Sequence, residues 1–153
     1  MAGETPVIRP LQPTDRAAWE PLWQGYLTFY KASVPDEVTD LSWSRLHDPA
    51  EPMHGYAAIV DGRMAGIMHL ILHRSMWTAG PYCYLQDLFT AEELRGRGVG
   101  RAMIQHAGSE AARLGASRVI WLTHETNTQA QALYDKLATR TGFIQYRMPP
   151  APL

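Results

Sequence analysis

Arg95-Gly96-Arg97-Gly98-Val99-Gly100 decides the fold of this chain, because it joins an apolar, strand-like run, Tyr82 to Thr90, to an amphipathic stretch that begins at Val99. Glycines let backbone N–H groups close on an anion, the following helix aims the positive end of its dipole at the same point, and the arginines add charge. The segment reads as a phosphate cradle at a helix N-terminus. Its spacing excludes two common cradles. A dinucleotide fingerprint needs G-x-G-x-x-G, whereas these glycines fall at 96, 98 and 100; a P-loop needs G-x-x-x-x-G-K followed by Ser or Thr, and no such pair follows.

Downstream of the cradle, Val99, Ala102, Met103, His106, Ala107 and Ala111 share one helical face, with Gly115 as terminator. Val119–Thr123 reads as the next strand, Asn127 as an N-cap, Gln129–Leu137 as a helix ending before Gly142, and Phe143–Met148 as a strand closing the sheet. Upstream, Tyr56–Val60 and Met64–His73 are strands joined by Asp61-Gly62, a strong hairpin signal. A short helix is expected between Pro35 and His47. Before it, Trp19, Leu22, Trp23, Tyr26, Leu27 and Tyr30 recur at helical spacing as a core-facing stripe, with Asp15 as N-cap and a strand near Val7–Arg9. The pattern is a mixed α/β sheet flanked by helices.

The remaining signature, Arg95-x-x-Gly98-x-Gly100, resembles the R/Q-x-x-G-x-G/A motif of the GNAT superfamily, the acetyl-CoA-dependent N-acetyltransferases. Two further segments match in order: Tyr84-Leu85-Gln86-Asp87-Leu88-Phe89-Thr90 resembles the family's fourth strand, and Asn127-x-x-Ala130-x-x-Leu133-Tyr134 followed by Gly142-Phe143 resembles its second motif. The closest likeness is to the histone- and polyamine-type branch. The resemblance implies a mixed, mostly antiparallel central sheet whose fourth and fifth strands splay around acetyl-CoA, and one N-acetyltransferase domain over 1–153, with 149–153 as a loose tail.

It also implies a site. Backbone amides from Arg95 through Arg101, namely those of Arg95, Gly96, Arg97, Gly98, Val99, Gly100 and Arg101, would receive the pyrophosphate. Leu88, Phe89 and Thr90 would bind the pantetheine arm as though it were an added strand, with an N–H near Phe89 for the oxyanion. The family motif gives Asn127 to the cofactor or an ordered water and Tyr134 to the sulfur end, where its phenol would serve as general acid. In polyamine acetyltransferases an acid stands where this chain has Gln86, and an amide cannot take a proton. Asp87 and Glu125, or water, remain as bases, beside His124. Strand alternation sets 86 and 87 on opposite faces, and likewise 124 and 125, so that at most one of each pair faces the slot.

The implied reaction is direct transfer of an acetyl group, through a ternary complex, to a primary amine of a small polyamine-like or amino-acid-like molecule. A protein or peptide acetyltransferase and a non-catalytic acyl-CoA-binding module stay open. For the acceptor, Tyr30, Ser33, Asp36, Glu37 and Asp40 combine aromatic and acidic groups suited to a cationic amine, though the acids equally suit a helix start.

Composition agrees with a small soluble partner. Net charge is −1, with no Lys/Arg block, which argues against nucleic acid or a membrane surface. A single cysteine, Cys83, and a start without a basic, apolar leader point to the cytoplasm. A homodimer is expected from the aromatic content and the family tendency. No metal is expected: His69 and His73 share a strand face about 13 Å apart, too far to share an ion that sits about 2 Å from each ligand.

Overall fold

Asp61 and Gly62 both take positive φ, 51° and 73°, the combination that a two-residue hairpin turn requires. This turn folds β2 (Met53–Val60) onto β3 (Arg63–His73), two largely buried apolar strands. In the computed structural model, which describes residues 4–153, these strands form the middle of a five-stranded sheet. With β1 (Val7–Pro10), β4 (Tyr82–Thr90) and β5 (Arg118–Ile120), the order is β1-β2-β3-β4-β5, and every pairing is antiparallel except the parallel β4–β5 pair. The mixed, mostly antiparallel sheet is the one the family resemblance implies.

Strand alternation distributes the helices. Ile67 and Ala57 join Trp19, Trp43 and Leu11 in a buried cluster, so α1 (Arg16–Phe29) and α2 (Asp36–Leu46) cover that face. Gly66 faces the other way, toward Met103 and Val99 of α3 (Val99–Arg113), whose Val99, Met103, Ala107 and Ala111 are buried along the expected stripe. Burying each large aliphatic side chain here contributes about 1.5–3 kcal/mol, which holds both layers to the sheet.

Two features position the site. β4 and β5 pair only at Tyr82–Tyr84, so from Leu85 to Thr90 β4 runs on without a ladder to β5. The register of β3 with β4 also shifts: His69 lies opposite Asp87 but Leu70 opposite Leu85, leaving Gln86 as the extra residue of a β-bulge.

The structure divides into two compact units, with the boundary between Leu122 and Thr123. The sheet and the first three helices belong to the first. The second carries α4 (Thr128–Leu137).

Several expectations change. Asp15 does not cap α1 through its side chain: its carboxylate accepts from the Gln12 N–H at 2.7 Å and from Arg9 at 2.7 and 3.0 Å, closing a 3₁₀ turn, Pro13–Asp15, that precedes the helix. Asn127 occupies the N-cap position of α4 without a side-chain cap bond. β5 stops at Ile120 rather than Thr123, and 143–148 carry no strand, with Phe143, Ile144, Tyr146 and Met148 exposed. An apolar extended run becomes a strand only when its backbone groups find a ladder partner.

Candidate active site

The glycine loop is built by backbone conformation. Gly96 and Gly98 both sit at φ +78°, a region that costs an L side chain roughly 1–2 kcal/mol, and Gly98 is the N-cap of α3. The first intrahelical bond runs from Ala102 N–H to Gly98 C=O at 3.0 Å, so the N–H groups of Val99, Gly100 and Arg101 have no helical partner. They form the positive end of a 15-residue helix, a donor set that fits a phosphate. Of the arginines, only exposed Arg101 is uncommitted among the described residues. Arg97 pairs with Asp61 of the hairpin turn at 3.1 Å. Arg95 donates from Nε to the Thr90 carbonyl at 3.2 Å and lies over the rings of Phe89 and Phe29, 5.5 and 5.8 Å from their centroids. The loop field is thus mainly that of the backbone, with less arginine charge to spare than the sequence implies.

The open length of β4 has a definite phase. Ala91 N–H donates to Ala65 C=O at 2.8 Å, which makes Phe89 a hydrogen-bonded partner of Ile67 and turns the N–H and C=O groups of Leu88 and Thr90 away from β3. Leu88 therefore offers both backbone groups, and Thr90 its N–H, along the edge that β5 leaves open, the Thr90 carbonyl being taken by Arg95. Phe89 spends its backbone on the sheet and supplies a ring instead, edge-on to Tyr26 at 6.3 Å.

The bulge corrects the alternation argument for Gln86 and Asp87. Because the extra residue resets the pleat, both residues line one cavity of about 270 Å³, bounded also by His69 from the sheet, by Trp19 and Trp23 from α1 and by Val34, Val38 and Ser42 along α2 and its approach. Asp87 is largely buried there, its side chain 11% exposed. The Trp19 indole N–H donates to His69 Nε2 at 3.0 Å; since an indole only donates, the imidazole proton sits on Nδ1, which donates to Asp87 Oδ2 at 2.8 Å. The phenols of Tyr26, Tyr30 and Tyr84 are all held above their ordinary value, first by burial and then by the negative charge of Asp87. A carboxylate in an aromatic surround is a receptor for an ammonium.

Sequence spacing alone considers His69 for a metal and favours the core over a ligand for the Trp19–Trp23 stripe. A usable signal was present: a histidine inside the apolar β3 run, with an acid in the strand that follows. Conversely, Asp36 and Glu37 are exposed in the first turn of α2, and Asp40 pairs with Arg16 at 2.6 Å. α2 turns Val38 and Ser42 to the cavity instead of these acids. Cys83 is fully buried, and burial pushes its thiol up to about 11, which makes it inert.

Of the remaining candidate residues, Glu125, Asn127 and Tyr134 all lie in the second unit. Glu125 is exposed in the turn before α4, so alternation along a strand does not govern it or His124; its carbonyl accepts from Gln131 Nε2 at 3.0 Å. Asn127 is half-buried, and its Nδ2 donates to Thr123 Oγ1 at 3.4 Å. Tyr134 is half-buried on α4.

A family model described as the acetyltransferase (GNAT) family matches residues 19–138. The chain is 34% identical over 149 residues to the D-amino-acid N-acetyltransferase HPA3 of Saccharomyces cerevisiae, covering 96% of this chain and 92% of that protein. It is 27% identical over 106 residues, 66% of each chain, to a thialysine N-epsilon-acetyltransferase of Caenorhabditis elegans. Among solved structures, AAC(6')-Iy in complex with a bisubstrate analogue superposes with a TM-score of 0.83 at 17% identity, covering 97% of this chain and all of that one, a likeness of fold.

Proposed function

The chain belongs to the GNAT family of acetyltransferases, and we propose that it transfers an acetyl group from acetyl-CoA directly to a primary amine of a small polyamine-like or amino-acid-like molecule, through a ternary complex. The observation that supports this reading is that, within one unit, a helix start with unspent N–H groups and a cavity lined by a buried carboxylate lie at the two ends of the stretch 86–101. Relatives named for D-amino acids and thialysine support a small amine acceptor.

Acetyl-CoA supplies an activated acetyl thioester and a phosphorylated handle by which to hold it. The N–H groups of Val99, Gly100 and Arg101 bind its pyrophosphate, and Leu88 and Thr90 pair with its amide-bearing arm as an added strand. Asp87 holds the acceptor's ammonium and receives the proton it must shed, because an alkyl ammonium with an ordinary value near 10.4 costs about 4–5 kcal/mol to deprotonate at pH 7. The outward Leu88 N–H donates to the oxygen that gains charge during transfer. Tyr134, by the family motif, returns a proton to the leaving sulfur. Asn127 supports the cofactor, and Glu125, exposed, is the weaker base. A homodimer acting in the cytoplasm completes the proposal; among the described residues no helix is long and apolar enough to cross a membrane.

The reading is tested by calorimetry with acetyl-CoA, ADP and NAD, followed by an amine panel. Selective acetyl-CoA binding with turnover of small cationic amines is expected, and Tyr134→Phe should bind acetyl-CoA normally while losing turnover. A folded protein that ignores acetyl-CoA overturns the reading. Binding without turnover, unchanged in Tyr134→Phe, identifies an acyl-CoA-binding module instead; turnover of peptides alone identifies a protein acetyltransferase.

A further inference from the structure

We infer that His69 is a positioning residue for the acceptor end of the site: held by Trp19, it fixes the rotamer of Asp87 by engaging its Oδ2. The inference rests on the reading above, in which Asp87 serves the amine.

A lone carboxylate on a bulged strand has two soft torsions and two equivalent oxygens, and nothing in the strand itself selects one orientation. Here the hydrogen-bond chain does so. Trp19, 1% exposed, is locked between Trp23, stacked at 5.8 Å, and Trp43, tilted at 4.7 Å, so its indole N–H has a fixed direction. That N–H is accepted by His69 Nε2 at 3.0 Å, which leaves the ring one proton, on Nδ1, and that proton is spent on Asp87 Oδ2 at 2.8 Å. Oδ2 is thereby committed to His69, the Tyr26 phenol also hydrogen-bonds the carboxylate, and the side of it turned to the cavity is what meets the amine.

His69 is itself buried, 5% exposed, and lies directly opposite Asp87 in the β3–β4 ladder. Directly opposite residues of an antiparallel pair share a face, so the register itself sets Asp87 beside His69, with the bulge at Gln86 immediately next to the pair. His69 also borders the cavity, packed against Trp23 at 5.6 Å, yet both of its nitrogens are occupied, so it acts through Asp87 rather than on the substrate.

The test uses His69→Leu, which keeps bulk without hydrogen bonds, and His69→Asn, whose amide can donate from the place of Nδ1. In steady-state kinetics with a responsive amine, His69→Leu should lower kcat/KM for the amine by about tenfold or more, the scale of a buried partner left unsatisfied, while KM for acetyl-CoA stays within about twofold. His69→Asn should recover most of the loss. The double variant His69→Leu with Asp87→Asn should be no worse than Asp87→Asn alone, since a positioning residue has nothing left to position.

A loss in His69→Leu that Asn does not rescue, or that multiplies with the Asp87→Asn loss, overturns the inference and leaves His69 a packing residue. If His69→Leu fails to fold, Trp19→Phe, which removes the donor to Nε2 together with part of the ring, must give a smaller loss confined to kcat/KM for the amine; full activity in it, or an equal loss in KM for acetyl-CoA, overturns the inference. Full activity in Asp87→Asn would strike the functional reading of Asp87 itself and is distinguishable from either result.

Discussion

The glycine loop and the Asp87 cavity lie at opposite ends of one stretch, 86–101, and are built by opposite means. The loop is made of backbone: left-handed glycines at 96 and 98 and the unspent N–H groups of Val99, Gly100 and Arg101, with two of its three arginines tied to Thr90 and Asp61. The cavity is made of side chains: a buried carboxylate whose orientation depends on an imidazole, which depends on an indole. A backbone site depends on conformation and is indifferent to most side chains, whereas a side-chain site depends on single atoms and tolerates conformational strain poorly, since each group relies on the next. The two halves should therefore fail differently when altered.

The largest effect is expected in the cavity. Asp87→Asn is nearly isosteric and still accepts from His69, but it neither pairs with an ammonium nor takes a proton, so kcat/KM for the amine should fall by about 10²–10⁴-fold, the usual contribution of a positioned acid or base. Acetyl-CoA affinity, measured by calorimetry, should be unchanged because the loop is built independently. A parallel loss of acetyl-CoA binding would break the comparison, since the two sites would then not be separable.

The difference in construction also governs what the sequence discloses. A backbone site leaves its mark in residue type and spacing, and Arg95 to Gly100 with Val99 opening a helix was legible from the glycines alone. The hairpin at Asp61-Gly62 and the span of β4 were legible for the same reason: local rules determine them. The cavity was not. The bulge at Gln86 depends on how β3 and β4 slide past each other, and strict alternation gave the wrong faces for Gln86 and Asp87. His69 and Trp19 are 50 residues apart and meet only through the fold. The stripe of α1 was correctly read as apolar, yet its rings form a column, Trp19 to Trp23 to Tyr26 to Tyr30, that serves both core and cavity. At the other end of the chain, 143–148 show the limit of a period-two reading, because an extended run says nothing of what it pairs with.

A smaller effect is expected in the loop. Gly98→Val forces a β-branched residue into φ +78°, at a cost of roughly 1–2 kcal/mol, which should weaken acetyl-CoA binding by about tenfold. Gly98→Asn, which visits this region more readily, should lose less. Measured KM for the amine should move little in both. If Val and Asn behaved alike, the loop would be responding to side-chain bulk rather than to conformation, and the contrast with the cavity would be lost.

The smallest effect sharpens the comparison at the far end of α3, where the loop's helix is fastened by side chains after all. Glu110 accepts from the Tyr56 hydroxyl of β2 at 2.7 Å and from Arg113 at 2.8 Å, and the Arg113 bond, then that of Tyr56, holds its carboxyl down from an ordinary 4.5 to about 2 against the opposing effect of burial. A depressed folded-state value means that the unfolded chain binds the extra proton first. The stability Glu110 contributes is therefore whole above about pH 4.5 and drains away as pH falls toward 2. Urea midpoints of the protein and of Glu110→Gln should accordingly differ at pH 6 and converge as the pH approaches 2. A difference that persists unchanged to low pH would mean that Glu110 acts through packing, and that the helix presenting the loop is held by shape rather than by charge.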